Sequence, residues 1–286
     1  MGVLVPTTLD DAVAALRAAP NALVLAGGTD VLVAINEQHT SLTGDETVVA
    51  VARIPELRAW SYDPAGATVR LGAGVTYAEL ADPPLTELLP ALGQAARTVG
   101  SPQIRNAATI GGNLGTCSPA GDGLPVLAAL DATVELLGPD GVRTMPVAEF
   151  MRGVKRTARK SGELITAVTV PVVDGWQGYT KVGVRNAMVI AICSACLVVD
   201  TPGRSVRLAL GSVAPTVVRA PEAEAFAAST VDWARGTVDE AATRRFGELA
   251  AAASRPIDDH RASAAYRRRA VEVLARRLLR RAFPSA

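Results

Sequence analysis

Apolar positions in this chain switch between helical spacing and short unbroken runs, and the changes of rhythm mark its elements. Thr8, then Asp10 and Asp11, then apolar Ala12, Val13 and Leu16, predict a helix that ends before Pro20. Leu23 to Leu25 reads as a short buried strand. It runs straight into Ala26-Gly27-Gly28-Thr29-Asp30, and apolar Val31 to Ile35 resumes at once as a helix, so the opening is βαβ. Val48 to Val51 and Thr68 to Leu71 read as strands, the second closing on a tight Gly72-Ala73-Gly74 turn. A helix is expected from Leu85 to Thr98, then a long loop from Ser101 to Gly115, then a helix from Asp122 to Leu130 capped by Asp122. Thr133 to Leu137 and Val142 to Met145 predict a hairpin around Gly138-Pro139-Asp140-Gly141.

From Glu163 the runs lengthen. Leu164 to Val170, Tyr179 to Val184, Met188 to Val199 and Ser205 to Val213 read as strands. Alanine-rich helices follow at Glu222 to Ala228, Val238 to Ala253 and Ser263 to Ala282, the last with an apolar core stripe of Val271, Val273, Leu274, Leu278 and Leu279. The class is α+β. A boundary falls between Pro171 and Gln177, giving units at 1–60, 61–172 and 173–286.

The 286 residues are 49% hydrophobic, enough for two or three packed units, and the net charge of +1 gives no electrostatic case for nucleic acid or a membrane surface. The longest apolar run, Ala187 to Val199, is too short to span a bilayer, and the start of the chain has no secretory pattern, so a soluble cytoplasmic protein is expected. Arg255 to Ala286 carries nine arginines and three acidic residues; with Tyr266 and Phe283 as its aromatics it reads as a solvated helix face or a subunit interface. Three cysteines make no disulfide framework. Cys193 and Cys196 form C-x-x-C, but three apart on a strand they point to opposite faces, against a shared metal. The two histidines, His39 and His260, give little support to a metal site or a catalytic triad.

Chemistry concentrates in two glycine-pair loops, Ala26 to Asp30 and Thr109-Ile110-Gly111-Gly112-Asn113. Neither continues as a P-loop and neither is G-x-G-x-x-G. Each alone is a tight turn. Together, with short donors at Thr29, Thr109 and Asn113 and no lysine in either loop, they suit a diphosphate held by main-chain N–H groups.

Gln103-Ile-Arg-Asn-Ala-Ala-Thr-Ile-Gly-Gly-Asn113, continued by Ser118-Pro119 to Asp122, resembles the signature of the FAD-binding medium subunit of molybdenum hydroxylases, of the xanthine dehydrogenase and carbon monoxide dehydrogenase kind. Glu163-Leu-Ile165 to Val170-Pro171, Lys181 to Arg185 and Ser263 to Arg268 resemble it too, so the resemblance spans the chain. It implies a vanillyl-alcohol-oxidase-like (PCMH-type) FAD-binding fold in two α/β subdomains, plus a C-terminal α+β domain of antiparallel sheet and helices. It implies non-covalent FAD, with the diphosphate held by Ala26, Gly27, Gly28, Thr29 and Asp30 and by Thr109, Ile110, Gly111, Gly112 and Asn113, and with Leu25, Ala108 and Thr116 beside them. Asp122 would bond the ribose or adenine side, Ile165 would pack on the flavin rings, and Lys181 would sit near the flavin's polar edge. No catalytic acid, base or nucleophile is implied. The partners implied are a large molybdopterin-binding subunit and a small iron–sulfur subunit with [2Fe-2S] clusters, in a heterohexamer of two heterotrimers. Thr29 and Asp30 depart from the family's usual residues after the glycines, and no loop identifies the terminal electron acceptor. Two rival readings are a self-contained flavin oxidase or reductase of the same fold and a non-enzymatic nucleotide-binding scaffold.

Overall fold

The computed structural model describes residues 2–36 and 47–284. His39 lies outside the described residues.

The first part contains β1 (Gly2–Leu4), α1 (Leu9–Ala18), β2 (Leu23–Leu25), α2 (Val31–Asn36) and β3 (Thr47–Ala50). The strands form a parallel sheet in the order β1-β3-β2. Thr8 caps α1 by accepting the N–H of Asp11, and the helix buries Ala12 and Leu16.

The second part runs through α3 (Pro55–Arg58), β4 (Trp60–Asp63), β5 (Thr68–Gly72), α4 (Tyr77–Leu80), α5 (Leu85–Leu88), α6 (Pro90–Thr98), α7 (Pro102–Ala107), α8 (Ile110–Thr116) and α9 (Gly123–Ala129). It ends with β6 (Thr133–Gly138), β7 (Gly141–Pro146), α10 (Val147–Phe150), β8 (Met151–Gly153), β9 (Arg156–Thr157) and β10 (Leu164–Pro171). An antiparallel five-stranded sheet has the order β4-β5-β10-β6-β7, with β10 carrying a bulge between Ile165 and Ala167.

The third part holds β11 (Gln177–Val182), β12 (Cys193–Asp200), β13 (Ser205–Gly211), β14 (Val218–Arg219), α11 (Pro221–Thr230), α12 (Glu240–Ala253) and α13 (Ala264–Ala282). Its strands form an antiparallel sheet in sequence order. This sheet is covered on both faces. Cys196, Val198 and Ala209 join the core of the first two parts, while Cys193, Ala195, Leu197 and Leu208 join a second core with α11 to α13. The two cysteines therefore face opposite ways, as strand geometry requires. Burial pushes the Cys193 thiol up to about 12 and raises that of Cys196 further.

Several elements differ from the sequence reading. The Leu85–Thr98 helix is two helices, because Leu89 is non-helical and Pro90 begins a new first turn. The segment 101–115 is no loop: Ser101 caps α7 and Thr109 caps α8. The second strand of the last part starts at Cys193 rather than Met188; residues before it form a turn in which Arg185 donates to the carbonyls of Ala187 and Met188 and Met188 takes a φ of 50°. Asp122 precedes α9 but its side chain makes no cap bond. On α13, Val273 is half-buried and Ala275 completes the core stripe instead. Strands β4, β8, β9 and β14 were not anticipated. No helix among the described residues is long and apolar enough to cross a membrane.

Phe246 of α12 is fully buried in the second core. Phe246→Ala should cost about 3 to 5 kcal/mol in a denaturant titration, since the aromatic volume has no neighbour free to fill it.

Candidate functional site

The two glycine pairs meet. A Cβ on Gly27 would stand 1.7 Å from the carbonyl oxygen of Ala107, so only glycine lets β2's exit loop lie flat on the end of α7. Gly28 follows with a φ of +72°, a left-handed conformation that glycine adopts without strain. Across the gap, Thr116 Oγ1 donates to Asp30 Oδ2 at 3.3 Å, and Lys155 Nζ stands 4.0 Å from the same carboxylate oxygen.

Their hydrogen-bonding states differ. Among the described residues, the N–H groups of Gly27, Gly28, Thr29 and Asp30 have no acceptor. Consecutive amides around a left-handed residue form a concavity for an anion. In the second pair the amides are spent on the fold. Ile110 N–H bonds the Val75 carbonyl, Gly111 N–H the Ala73 carbonyl, Gly112 N–H the Thr109 hydroxyl and Asn113 N–H the Thr109 carbonyl. The expectation that both loops offer successive main-chain donors is corrected here for the second: the carbonyls of Ala73 and Val75 and the carbonyl and hydroxyl of Thr109 consume them. What this segment still offers is side-chain chemistry. Tyr77 donates to Asn113 Oδ1 at 2.8 Å, which turns the Asn113 amide so that Nδ2 is left to donate. The Thr109 hydroxyl keeps its own proton. Gly111 has a packing role, since a Cβ there would lie 2.5 Å from the Ala73 Cβ. At Gly112 a Cβ would meet only Thr109 Oγ1, at 3.0 Å.

The remaining expected residues surround this centre. Leu25 and Ala26 are half-buried in and just after β2. Ala108 accepts the Tyr77 N–H and ends α7. Ile110 is fully buried. Ile165 is buried at the β10 bulge, with its Cδ1 3.6 Å from where a Gly115 Cβ would stand.

Asp122 and Lys181 form a second centre. Lys181 Nζ lies 2.7 Å from Asp122 Oδ2, and both side chains are nine-tenths buried. The other two Nζ donors reach the carbonyls of Thr98 at 2.9 Å and Val189 at 3.0 Å. All three ammonium hydrogens thus have acceptors within the chain. A bond from Lys181 to a flavin would exchange one of them. Tyr179 Oη donates to Asp122 Oδ1 at 2.6 Å. Burial raises the Asp122 pKa, opposed by the Lys181 charge and by the bonds from Lys181 and Tyr179. Burial and the Asp122 charge together hold the Tyr179 phenol far above its ordinary range.

Sequence reasoning missed Tyr77, Tyr179, Gln94 and Lys155. Tyr179 was within reach, because it stands two residues before Lys181 on one strand and so shares its face. The others come from distant segments.

A row of unpaired amides, opposed by an amide and two hydroxyls and flanked by a buried carboxylate, fits the diphosphate and sugar of a dinucleotide. Residues 1–173 match the family described as the FAD binding domain in molybdopterin dehydrogenase, and residues 178–282 match the CO dehydrogenase flavoprotein C-terminal domain. The carbon monoxide dehydrogenase medium chain of Afipia carboxidovorans is 31% identical over 97% of this chain and 94% of its own length. The xanthine dehydrogenase FAD-binding subunit of Escherichia coli O157:H7 is 33% identical over 76% of this chain and 75% of its own. The solved structure of a reconstituted CO dehydrogenase from Oligotropha carboxidovorans superposes with a TM-score of 0.88 at 30% identity, covering 100% of this chain and 98% of that one. The chain belongs to the FAD-binding, medium-subunit family of the molybdenum hydroxylases. It is a flavoprotein electron-transfer subunit of the oxidoreductase class, with the fold of that family.

Lys181→Met should destabilise the chain by about 3 to 5 kcal/mol in denaturant, because it leaves a buried carboxylate without its counter-charge. Adding Asp122→Asn should restore part of that loss.

Proposed function

We propose that this chain holds FAD non-covalently, the diphosphate on Leu25 to Asp30 and on Ala108 to Asn113 with Thr116, and the flavin over Ile165 with its polar edge toward the bonded pair of Lys181 and Asp122; two side chains 2.7 Å apart serve one end of a dinucleotide, so the expected adenosine contact of Asp122 gives way to this placing. The observation that carries this reading is the set of four consecutive N–H groups at Gly27 to Asp30 without an acceptor among the described residues, in contact with the α7–α8 segment through Gly27 and Thr116. When bound, FAD supplies one- and two-electron chemistry, which suits a junction between single-electron donors and a pair-accepting oxidant. The chain's own part is to bind, orient and charge-balance. Gly28 turns the amides toward the phosphates. Tyr77 holds Asn113 with its donor outward. Lys181 balances Asp122 in a buried setting where neither charge is stable alone.

The resemblance and the relatives support a place in a larger complex. In it a large subunit carries the molybdenum cofactor and oxidises the substrate, and a small subunit carries [2Fe-2S] clusters that feed this chain. Two heterotrimers, joined as a heterohexamer in the cytoplasm, are the assembly proposed. The substrate belongs to the large subunit's pocket. The acceptor, whether NAD, a quinone or oxygen, is read by assay of the complex.

Purified chain should bind FAD in a one-to-one ratio, release it on denaturation and keep none covalently; failure of added FAD to bind the folded chain would overturn the reading. Gly112→Val should keep the fold and lose FAD affinity by about tenfold or more, because the added side chain enters the space beside the phosphates. Gly111→Val should instead lower the melting temperature, through its collision with Ala73.

A further inference from the structure

Asp122 is gripped at both oxygens. Tyr179 takes Oδ1 at 2.6 Å and Lys181 takes Oδ2 at 2.7 Å, the two donors standing two residues apart on β11. A carboxylate offers about four lone-pair positions, so one on each oxygen remains for another donor. Asp122 is 8% exposed and Tyr179 4%, so the grip is dry and only an edge of the carboxylate is open. The strand that carries both donors is itself fixed. Tyr179 N–H donates to Gln94 Oε1 at 2.8 Å, and Lys181 bonds the Thr98 carbonyl at the end of the same helix, α6.

We propose that Tyr179 is a positioning residue that holds Asp122 as a fixed, charged acceptor for the flavin half of the dinucleotide, the half that Lys181 also faces. This rests on the assignment of Asp122 to that half in the proposed function. A buried phenol has one proton to give, and Tyr179 gives it to Asp122. Its ionisation is suppressed by burial and by the Asp122 charge, so it stays a donor at any ordinary pH. The carboxylate it holds then acts only as an acceptor, which ribityl hydroxyls and the flavin ring N–H can use. A side chain that merely filled the core would not need the hydroxyl.

The arrangement has a pH signature. The ionisable groups facing Asp122 are Lys181 and Tyr179 on β11 and Tyr77 on α4, with Cys196 of β12 beyond Tyr179. Lys181 alone among them brings positive charge. Burial raises the Asp122 pKa, whereas Tyr179 and Lys181 lower it. As pH falls through that raised value, Asp122 gains a proton and one oxygen ceases to accept, so FAD affinity falls on the acid side. Removing the Tyr179 hydroxyl removes a lowering influence. The acid limb must then move to higher pH.

The test is a fluorescence-quenching titration of the full chain with FAD, from about pH 5 to pH 9, on wild type, Tyr179→Phe, Asp122→Asn and a chain carrying 3,5-difluorotyrosine at 179. Tyr179→Phe should weaken FAD about tenfold at neutral pH and raise the midpoint of the acid limb by about one unit. Difluorotyrosine, a stronger donor of nearly the same shape, should lower that midpoint; if Tyr179→Phe fails to fold, this chain decides the matter. Asp122→Asn should flatten the limb. A flattened limb in Asp122→Asn, with both Tyr179 variants at wild-type affinity and midpoint, overturns the role of Tyr179 alone. An unchanged Asp122→Asn profile overturns the placing of Asp122 at the cofactor as well.

Discussion

Two opposite charges taken out of water are stable only if each finds the other at bonding distance, and in this chain that demand falls on Asp122 and Lys181. Asp122 leads into α9, every residue of which is buried, and Lys181 lies on β11 at the start of the last sheet. The pair therefore fixes the sheet of the third part against the helices of the second. Through Thr98 and Gln94 the same contacts locate α6. A separate bond from Tyr77 to Asn113 ties α4 to α8. From there the positions of Gly111, Ala73 and the β5 turn follow by packing.

Much of the fold was legible because it follows from local rules. Thr8 caps a helix with its hydroxyl, and the apolar runs at Leu164 and Ser205 become strands with nearly the expected ends. The failures have two causes: partners distant in sequence, and local bonds that outweigh composition. Asp122 looked like a helix cap because an acidic residue before a helix usually is one, yet its partners stand 57 and 59 residues later. The apolar stretch before Cys193 has strand composition, but its backbone turns instead, and a neighbouring arginine satisfies the carbonyls.

The two glycine pairs make the same point about the site. Their sequences are alike and their chemistry is not. Around Gly27 and Gly28 the amides have no acceptor among the described residues, while around Gly111 and Gly112 they are consumed by carbonyls and a hydroxyl already at hand. The resemblance assigns both segments to one ligand. Which of them offers main chain and which offers side chains is decided by the carbonyls of Ala73 and Val75 and by Thr109, which take up the amides of the second pair.

The sheet of the third part is buried on both faces, with Cys196, Val198 and Ala209 completing the core that the first two parts begin. A growing chain leaves the ribosome from its N-terminus, so residues up to the end of β10 emerge before the strands that close their core. Until β12 and β13 arrive, α9 has an apolar side with nothing to lie against. The order of synthesis thus delays completion of the cofactor-binding half until much of the last sheet has been made, and the waiting intermediate is the species most exposed to aggregation.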